Sequence, residues 1–159
     1  MRLHGDRRPQ TTLFKQDGTP ALFTGGDNEV WSFGEEVYKI LEKYMHIREK
    51  MRPYTRMLME EAHEKGTPVM RTMFYEFPED ELCWELKDQY MFGPHILVAP
   101  VVYADTYERE VYLPQGANWV DAHDGKVYAG GQSVVCQAPL ECIPVFLREG
   151  KVEFLIGQI

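Results

Sequence analysis

Between Gly34 and Gly66 the apolar residues Val37, Leu41, Tyr44, Ile47, Met51, Tyr54 and Leu58 recur in steps of three or four. That is the spacing of one face of a helix. Charged residues fill the opposite face, and Glu35 stands four positions before Lys39, the supportive order for an ion pair along a helix. Ser32 and Glu35 have the spacing of a capping box. Gly66 suits a left-handed C-cap, and Pro68 follows as a stop. Pro53 interrupts the run and predicts a kink, since it lacks the N–H that the helix would use. Roughly 30 residues at about 1.5 Å each would span on the order of 45 Å.

After Gly66 the period changes. Residues 68–77 read as a β-rich run ended by Pro78, and residues 81–90 as a short helical stretch. Ile96-Leu97-Val98-Ala99 is a continuous apolar run suited to a strand buried on both faces. Further short strands are predicted at residues 111–113, 118–120, 126–128, 133–136 and 143–147. Turn signals at residues 114–116, 124–125 and 130–131 separate them, and this rhythm suggests an antiparallel β-sandwich. The tail from Lys151 to Ile159 is weakly patterned. Ahead of the helix, residues 5–33 are rich in Asp, Gly, Pro, Thr and Gln, and an irregular stretch of that length is often functional.

Composition narrows the classes. The chain has 159 residues, of which 44% are hydrophobic, so it can bury a core. A net charge of −8 and the lack of a basic patch argue against nucleic acid as a partner. No apolar run is long enough for a membrane-spanning helix, and the first residues have no signal-peptide pattern. Cys83, Cys136 and Cys142 are odd in number and lack a CxxC pair, which predicts a reduced, cytoplasmic chain with buried thiols. Aromatic residues make up 13%, a share that core packing explains as well as sugar stacking does. The five histidines are scattered without metal-ligand spacing, and His46 and His63 read as exposed helix residues. No phosphate loop, HExxH or GxSxG occurs. If residues 1–4 are extended, Arg2 and His4 project to the same side.

Many short motifs stand in one order: Arg2-Leu3-His4-Gly5, Trp31-Ser32-Phe33-Gly34-Glu35-Glu36, Arg52-Pro53-Tyr54, Gly66-Thr67-Pro68, Arg71, Tyr75-Glu76-Phe77-Pro78, Gln89-Tyr90-Met91-Phe92-Gly93, Val98-Ala99-Pro100-Val101, Tyr112-Leu113-Pro114, Tyr128-Ala129-Gly130-Gly131 and Pro144-Val145-Phe146-Leu147-Arg148-Glu149-Gly150. In this register the chain resembles the C-terminal part of the catalytic region of glycoside hydrolase family 31, the α-glucosidases and α-xylosidases. The opening Arg-Leu-His-Gly-Asp and the run from Met70 to Pro78 look most like its bacterial α-xylosidase-type members. The resemblance extends to about Gly150.

The resemblance implies an α+β fragment. Residues 1–66 would be the C-terminal end of a (β/α)8 barrel, with the end of its last strand, an active-site loop and the final helix. Residues 67–159 would be the proximal antiparallel β-sandwich. His4 would hold the sugar next to the cleaved bond, and Arg2 would shape that subsite through charge-assisted hydrogen bonds. Arg71 and Glu76 would be structural residues at the junction. The family cleaves α-glycosides with retention through two aspartates, which the resemblance puts on barrel strands upstream of Met1. Trp119-Val120-Asp121 imitates the nucleophile's Trp-x-Asp motif but lies among the sandwich strands, so no catalytic residue is assigned here. The implied partners are an α-linked oligosaccharide and the rest of the barrel, in a parent enzyme that could be homo-oligomeric. No metal or organic cofactor is implied. Two classes of function follow: part of a retaining α-glycosidase removing terminal glucosyl or xylosyl residues, or a truncated non-catalytic chain that at most binds sugar or a partner.

Overall fold

The computed structural model of the chain describes Asp17, Gly18 and residues 29–159. Contacts divide the chain into two compact units, Met1–His46 and Ile47–Ile159. In the first, a short 3-10 turn at Val30–Phe33 precedes the helix α1, Glu35–Lys50. The capping box does not form. Ser32 Oγ donates instead to Glu29 Oε2 at 2.9 Å, and the first α-helical bond runs from Tyr38 N to the Gly34 carbonyl. Gly34 has φ of 91°, outside helical values, so the helix begins one residue later and Ser32 belongs to the preceding turn. Glu35 and Lys39 do pair, at 3.4 Å on the exposed face.

The second helix, α2, spans Arg52–Lys65. Only Met51 separates it from α1, and Met51 keeps right-handed helical angles. Met51 N donates to Ile47 O and Thr55 N donates to Met51 O, both at 2.9 Å, so the hydrogen-bonded path is continuous through the joint. Pro53 supplies the interruption, because its nitrogen cannot donate. The break is therefore a kink of one helix, as the sequence predicts. Gly66 closes α2 with φ of 70° and donates to Ala62 O.

Eight strands follow. They are β1 (Met70–Thr72), β2 (Tyr90–Phe92), β3 (Ile96–Val98), β4 (Glu108–Leu113), β5 (Asn118–Asp121), β6 (Val127–Ala129), β7 (Gln132–Gln137) and β8 (Val145–Arg148). Six form one antiparallel sheet in the order β1-β2-β3-β8-β5-β6, and β4 pairs with β7 in a second. Two expectations change. The β-rich run at 68–77 is a strand only over Met70–Thr72, after which Met73–Glu76 makes one helical turn, α3. The helical stretch at 81–90 shrinks to a 3-10 turn at Glu81–Trp84, and Tyr90 opens β2. In the second place, pairing of Tyr90–Phe92 with β1 on one side and β3 on the other overrides local preference.

The core lies between the sheets. Met91, Leu97, Trp119 and Phe146 of the large sheet meet Val111, Tyr112 and Leu113 of the small one, joined by Met73, Phe77 and Cys83. This is the layering of a β-sandwich, made by side chains that alternate between faces. Strands β3 and β8 are buried on both sides: Leu97 and Phe146 face the core, while their neighbours Ile96 and Leu147 are buried as well. The tail is ordered against this body. Leu155 and Ile159 are buried, and Gly157 N donates to Ala122 O at 2.8 Å.

Candidate functional site

His4 and Arg2, the residues assigned to the sugar subsite, lie outside the described residues. The Trp119-Val120-Asp121 motif is structural. Trp119 is fully buried in β5, with its indole Nε1 donating to Pro114 O at 3.0 Å. Asp121 ends the strand and accepts the His123 backbone N–H at 2.8 Å, which shapes the turn into β6. Burial raises the Asp121 pKa, partly offset by that hydrogen bond. Among the described residues, no group of three or more His, Cys, Asp or Glu side chains is arranged to hold a metal ion.

Arg71 and Glu76 stand at the centre of a buried ionic junction. Arg71, only 6% exposed, donates through Nε to Pro68 O at 2.9 Å and through Nη1 to Glu76 Oε2 at 2.8 Å. Its Nη2 lies 3.5 Å from Glu61 Oε2 on α2. Glu76 also faces Arg148 of β8, at 3.7 Å. The junction thus ties α2, β1, α3 and β8 together. A guanidinium can do this because its planar fork offers donors in several directions at once. Next to it, Gly93 lets the β2–β3 hairpin approach α2 so closely that a Cβ there would lie 2.5 Å from Tyr54 Oη and 2.6 Å from a Leu58 methyl. Tyr54 donates to Phe92 O at 3.3 Å, and burial pushes its pKa up to about 12. The His95 pKa is lowered by burial and by Arg148 and Lys151. These groups fix the elements in place.

A second network sits under the small sheet. Asp80 receives the Tyr112 hydroxyl at 2.9 Å and the Gln115 backbone N–H at 3.0 Å. Gln89 spans the Tyr112 peptide, accepting from its N–H and donating to its carbonyl. Every polar group here has a partner of the kind burial demands.

The remaining cluster was not legible as a site in the sequence. His123, in the turn after β5, and Cys142, in the turn before β8, meet with Nε2 and Sγ 2.9 Å apart. They border a cleft of about 230 Å3 that Asp121, Asp124 and Cys136 also line. No spacing rule connects positions 19 residues apart on two different turns. Of the other histidines, His46 and His63 are exposed on their helices as expected. Of the cysteines, Cys83 and Cys142 are buried and Cys136 is half-buried, and none forms a disulfide.

Residues 66–152 match the glycosyl hydrolase family 31 C-terminal domain, which covers more than half of the chain. The chain belongs to glycosyl hydrolase family 31. It is 42% identical over 122 residues to alpha-glucosidase 2 of Bacillus thermoamyloliquefaciens, covering 77% of this chain and 15% of that protein. It is 35% identical to alpha-xylosidase A of Aspergillus niger over 100% of its own length and 22% of the relative's. Among solved structures it resembles a family 31 α-xylosidase from a soil metagenome, crystallised with xylose, at 45% identity and a TM-score of 0.82. That match covers 94% of this chain and 22% of the xylosidase. The chain therefore spans about a fifth or less of these relatives. The matched residues include Arg71, Glu76 and Arg148 of the ionic junction, the Asp80 network and the Trp119-Val120-Asp121 motif, while Glu61 lies just before them.

Proposed function

We propose that these residues are the C-terminal part of a retaining α-glycosidase that hydrolyses terminal α-linked glucosyl or xylosyl residues of oligosaccharides. In this reading residues 1–66 complete a (β/α)8 barrel, and residues 67–159 are the proximal β-sandwich that braces it. The observation that carries the reading is the likeness to the soil-metagenome α-xylosidase, at 45% identity over 94% of the chain. The hydrogen-bonded continuity from α1 into α2, with Arg71 of β1 paired to Glu61 of α2 at 3.5 Å, fits a last barrel helix that is fastened to the next domain.

The chemistry divides accordingly. The nucleophilic and acid/base aspartates are supplied by the rest of the barrel, with their carboxyl groups about 5–5.5 Å apart for a covalent glycosyl-enzyme. His4 contributes an imidazole that donates one hydrogen bond and accepts another, which suits a pair of neighbouring sugar hydroxyls. Arg2 adds a charged donor beside it. The test is turnover of p-nitrophenyl α-glucoside and α-xyloside by the 159-residue chain beside a version extended upstream through the barrel. Only the extended protein is expected to turn over. Release of nitrophenol by the 159-residue chain at an enzymatic rate would mean that its own carboxylates perform the reaction, and would overturn the division.

A further inference from the structure

The three thiols occupy different chemical settings. Cys83 is fully buried, and burial followed by the nearby Asp80 charge pushes its pKa up to about 12. Cys136 on β7 is half-buried, and burial pushes its thiol up to about 11. Cys142 is the one that meets a base. Its Sγ lies 2.9 Å from His123 Nε2, while His123 Nδ1 lies 2.6 Å from the main-chain oxygen of Ile159. A main-chain oxygen can only accept a hydrogen bond, so Nδ1 must carry a proton. Nε2 is then the nitrogen that takes the thiol proton, with the tautomer fixed by the bond on the far side of the ring.

Both partners are held in place. The turn bearing His123 is closed by Gly125 N donating to Asp121 O at 2.9 Å, and Asp121 Oδ1 grips the His123 N–H. The turn bearing Cys142 is closed by Cys142 N donating to Pro139 O at 2.9 Å. The tail that supplies the Ile159 oxygen is anchored by Gly157 N on Ala122 O, and the sulfur and this oxygen contact the two ring nitrogens of one imidazole. A volume of about 230 Å3 has room for a small molecule.

We propose that Cys142 is a modification site for small electrophiles, hydroperoxides in particular, with His123 as the base that activates its thiol. The Sγ proton passes to Nε2, and the sulfur lone pair attacks the terminal oxygen of the hydroperoxide. The S–O bond forms as the O–O bond breaks, and the departing alkoxide or hydroxide takes the proton back from Nε2. Sulfur is oxidised by two electrons to the sulfenic acid, and the hydroperoxide is reduced to the alcohol or to water. The geometry is that of a nucleophile–base pair in which a third group orients the base. The site is independent of the sugar-cleaving reading, because none of its residues belongs to the proposed subsite.

The experiment treats the purified chain with hydrogen peroxide in the presence of dimedone and follows each cysteine by peptide mass spectrometry. Cys142 is expected to label faster than Cys136 by on the order of tenfold or more, although it is the less exposed of the two. His123→Asn should lower the Cys142 rate by a similar factor, on the order of tenfold, with the thermal unfolding midpoint kept as the check on folding. Labelling of Cys136 first, as exposure alone would dictate, overturns the proposal. So does an unchanged Cys142 rate in a folded His123→Asn. Should that variant fail to fold, the order of labelling in the unmodified chain decides the matter by itself.

Discussion

Arg71 donates through Nη1 to Glu76 Oε2 at 2.8 Å, with 6% and 13% of the two side chains left exposed. Removing either partner strands a buried charge, and Arg71 also holds Glu61 and the Pro68 carbonyl. Arg71→Met is expected to destabilise the domain by about 3–5 kcal/mol. Arg71→Lys should recover only part of that, since an ammonium cannot serve Nε and both Nη directions. Urea unfolding midpoints at constant m-value provide the measurement.

The Gly93 contact with α2 gives a second prediction, with an internal control. Gly93→Ala puts a methyl against Tyr54 and Leu58 at a φ of 62°. Leu58 is 1% exposed and has little room to move, so strain and overpacking together should cost about 2–4 kcal/mol. Gly66→Ala has a similar φ of 70° but meets nothing within 4 Å, and should cost only about 1 kcal/mol. Equal losses at the two positions would mean that backbone strain alone matters and that the close approach to α2 does not.

Tyr112 is one of the groups, with Tyr54 and Cys83, whose raised pKa favours the folded state at alkaline pH. Its pKa is pushed up to about 12 by burial first and then by the hydrogen bond to Asp80. The protonated phenol is therefore favoured in the folded state. Its contribution is fully present below about pH 10, the unfolded value, and is lost as pH rises from there toward 12. Tyr112→Phe should cost about 1.5–3 kcal/mol at neutral pH, because Asp80 loses a donor, and should flatten the fall in stability above pH 10. Thermal melts of both proteins between pH 7 and pH 11 would check the two effects together.

The acid limit has a different source. The hydrogen bond from Arg109 Nη1 to Asp88 Oδ2, at 2.7 Å, holds the Asp88 carboxyl below its usual range against an opposing effect of burial. A depressed pKa stabilises above the unfolded value near 3.9, and this is lost as pH falls through the folded value. Asp88 is 39% exposed, so solvent screening limits the pair to no more than about 1 kcal/mol. Asp88→Asn should lower stability by that amount at pH 7 and by almost nothing at about pH 2. In 1 M salt the difference at pH 7 should shrink.

Elements with strong local signals were legible in the sequence. The helical stripe from Val37 to Leu58, the kink before Pro53 and the Gly66 cap follow from spacing and backbone chemistry alone, and so does the two-sided burial of Ile96–Val98. The turn signals also placed β4 to β8 to within a few residues. What sequence reasoning missed depends on distant partners. β2 is three residues long and exists because Met91 pairs with Arg71 on one side and Leu97 on the other. The turn at Met73–Glu76 bends aromatic residues with strand preference into a helical turn that delivers Glu76 to Arg71 and Phe77 to Trp119, whose rings lie 5.9 Å apart. Ser32 has a capping residue's chemistry, but Gly34 lies nearer to the helix start. The His123–Cys142 pair left no sequence signal, because only the sheet brings its two turns together. Arg71 and Glu76 were recognised as junction residues through the family likeness, and nothing in their spacing discloses Glu61 or Arg148 as further partners.

In the proposed function, His4 holds the sugar for an α-glycosidase whose reacting carboxylates lie elsewhere in the barrel. The most direct test is kcat/KM for p-nitrophenyl α-xyloside and α-glucoside in the barrel-extended protein, with and without His4→Ala. Loss of two hydrogen bonds to the bound sugar predicts a fall of roughly a hundredfold on the preferred substrate, with the unfolding midpoint unchanged. A His4→Ala protein that keeps kcat/KM within about twofold of the parent would contradict the claim, since so small a change is only about 0.4 kcal/mol of transition-state binding.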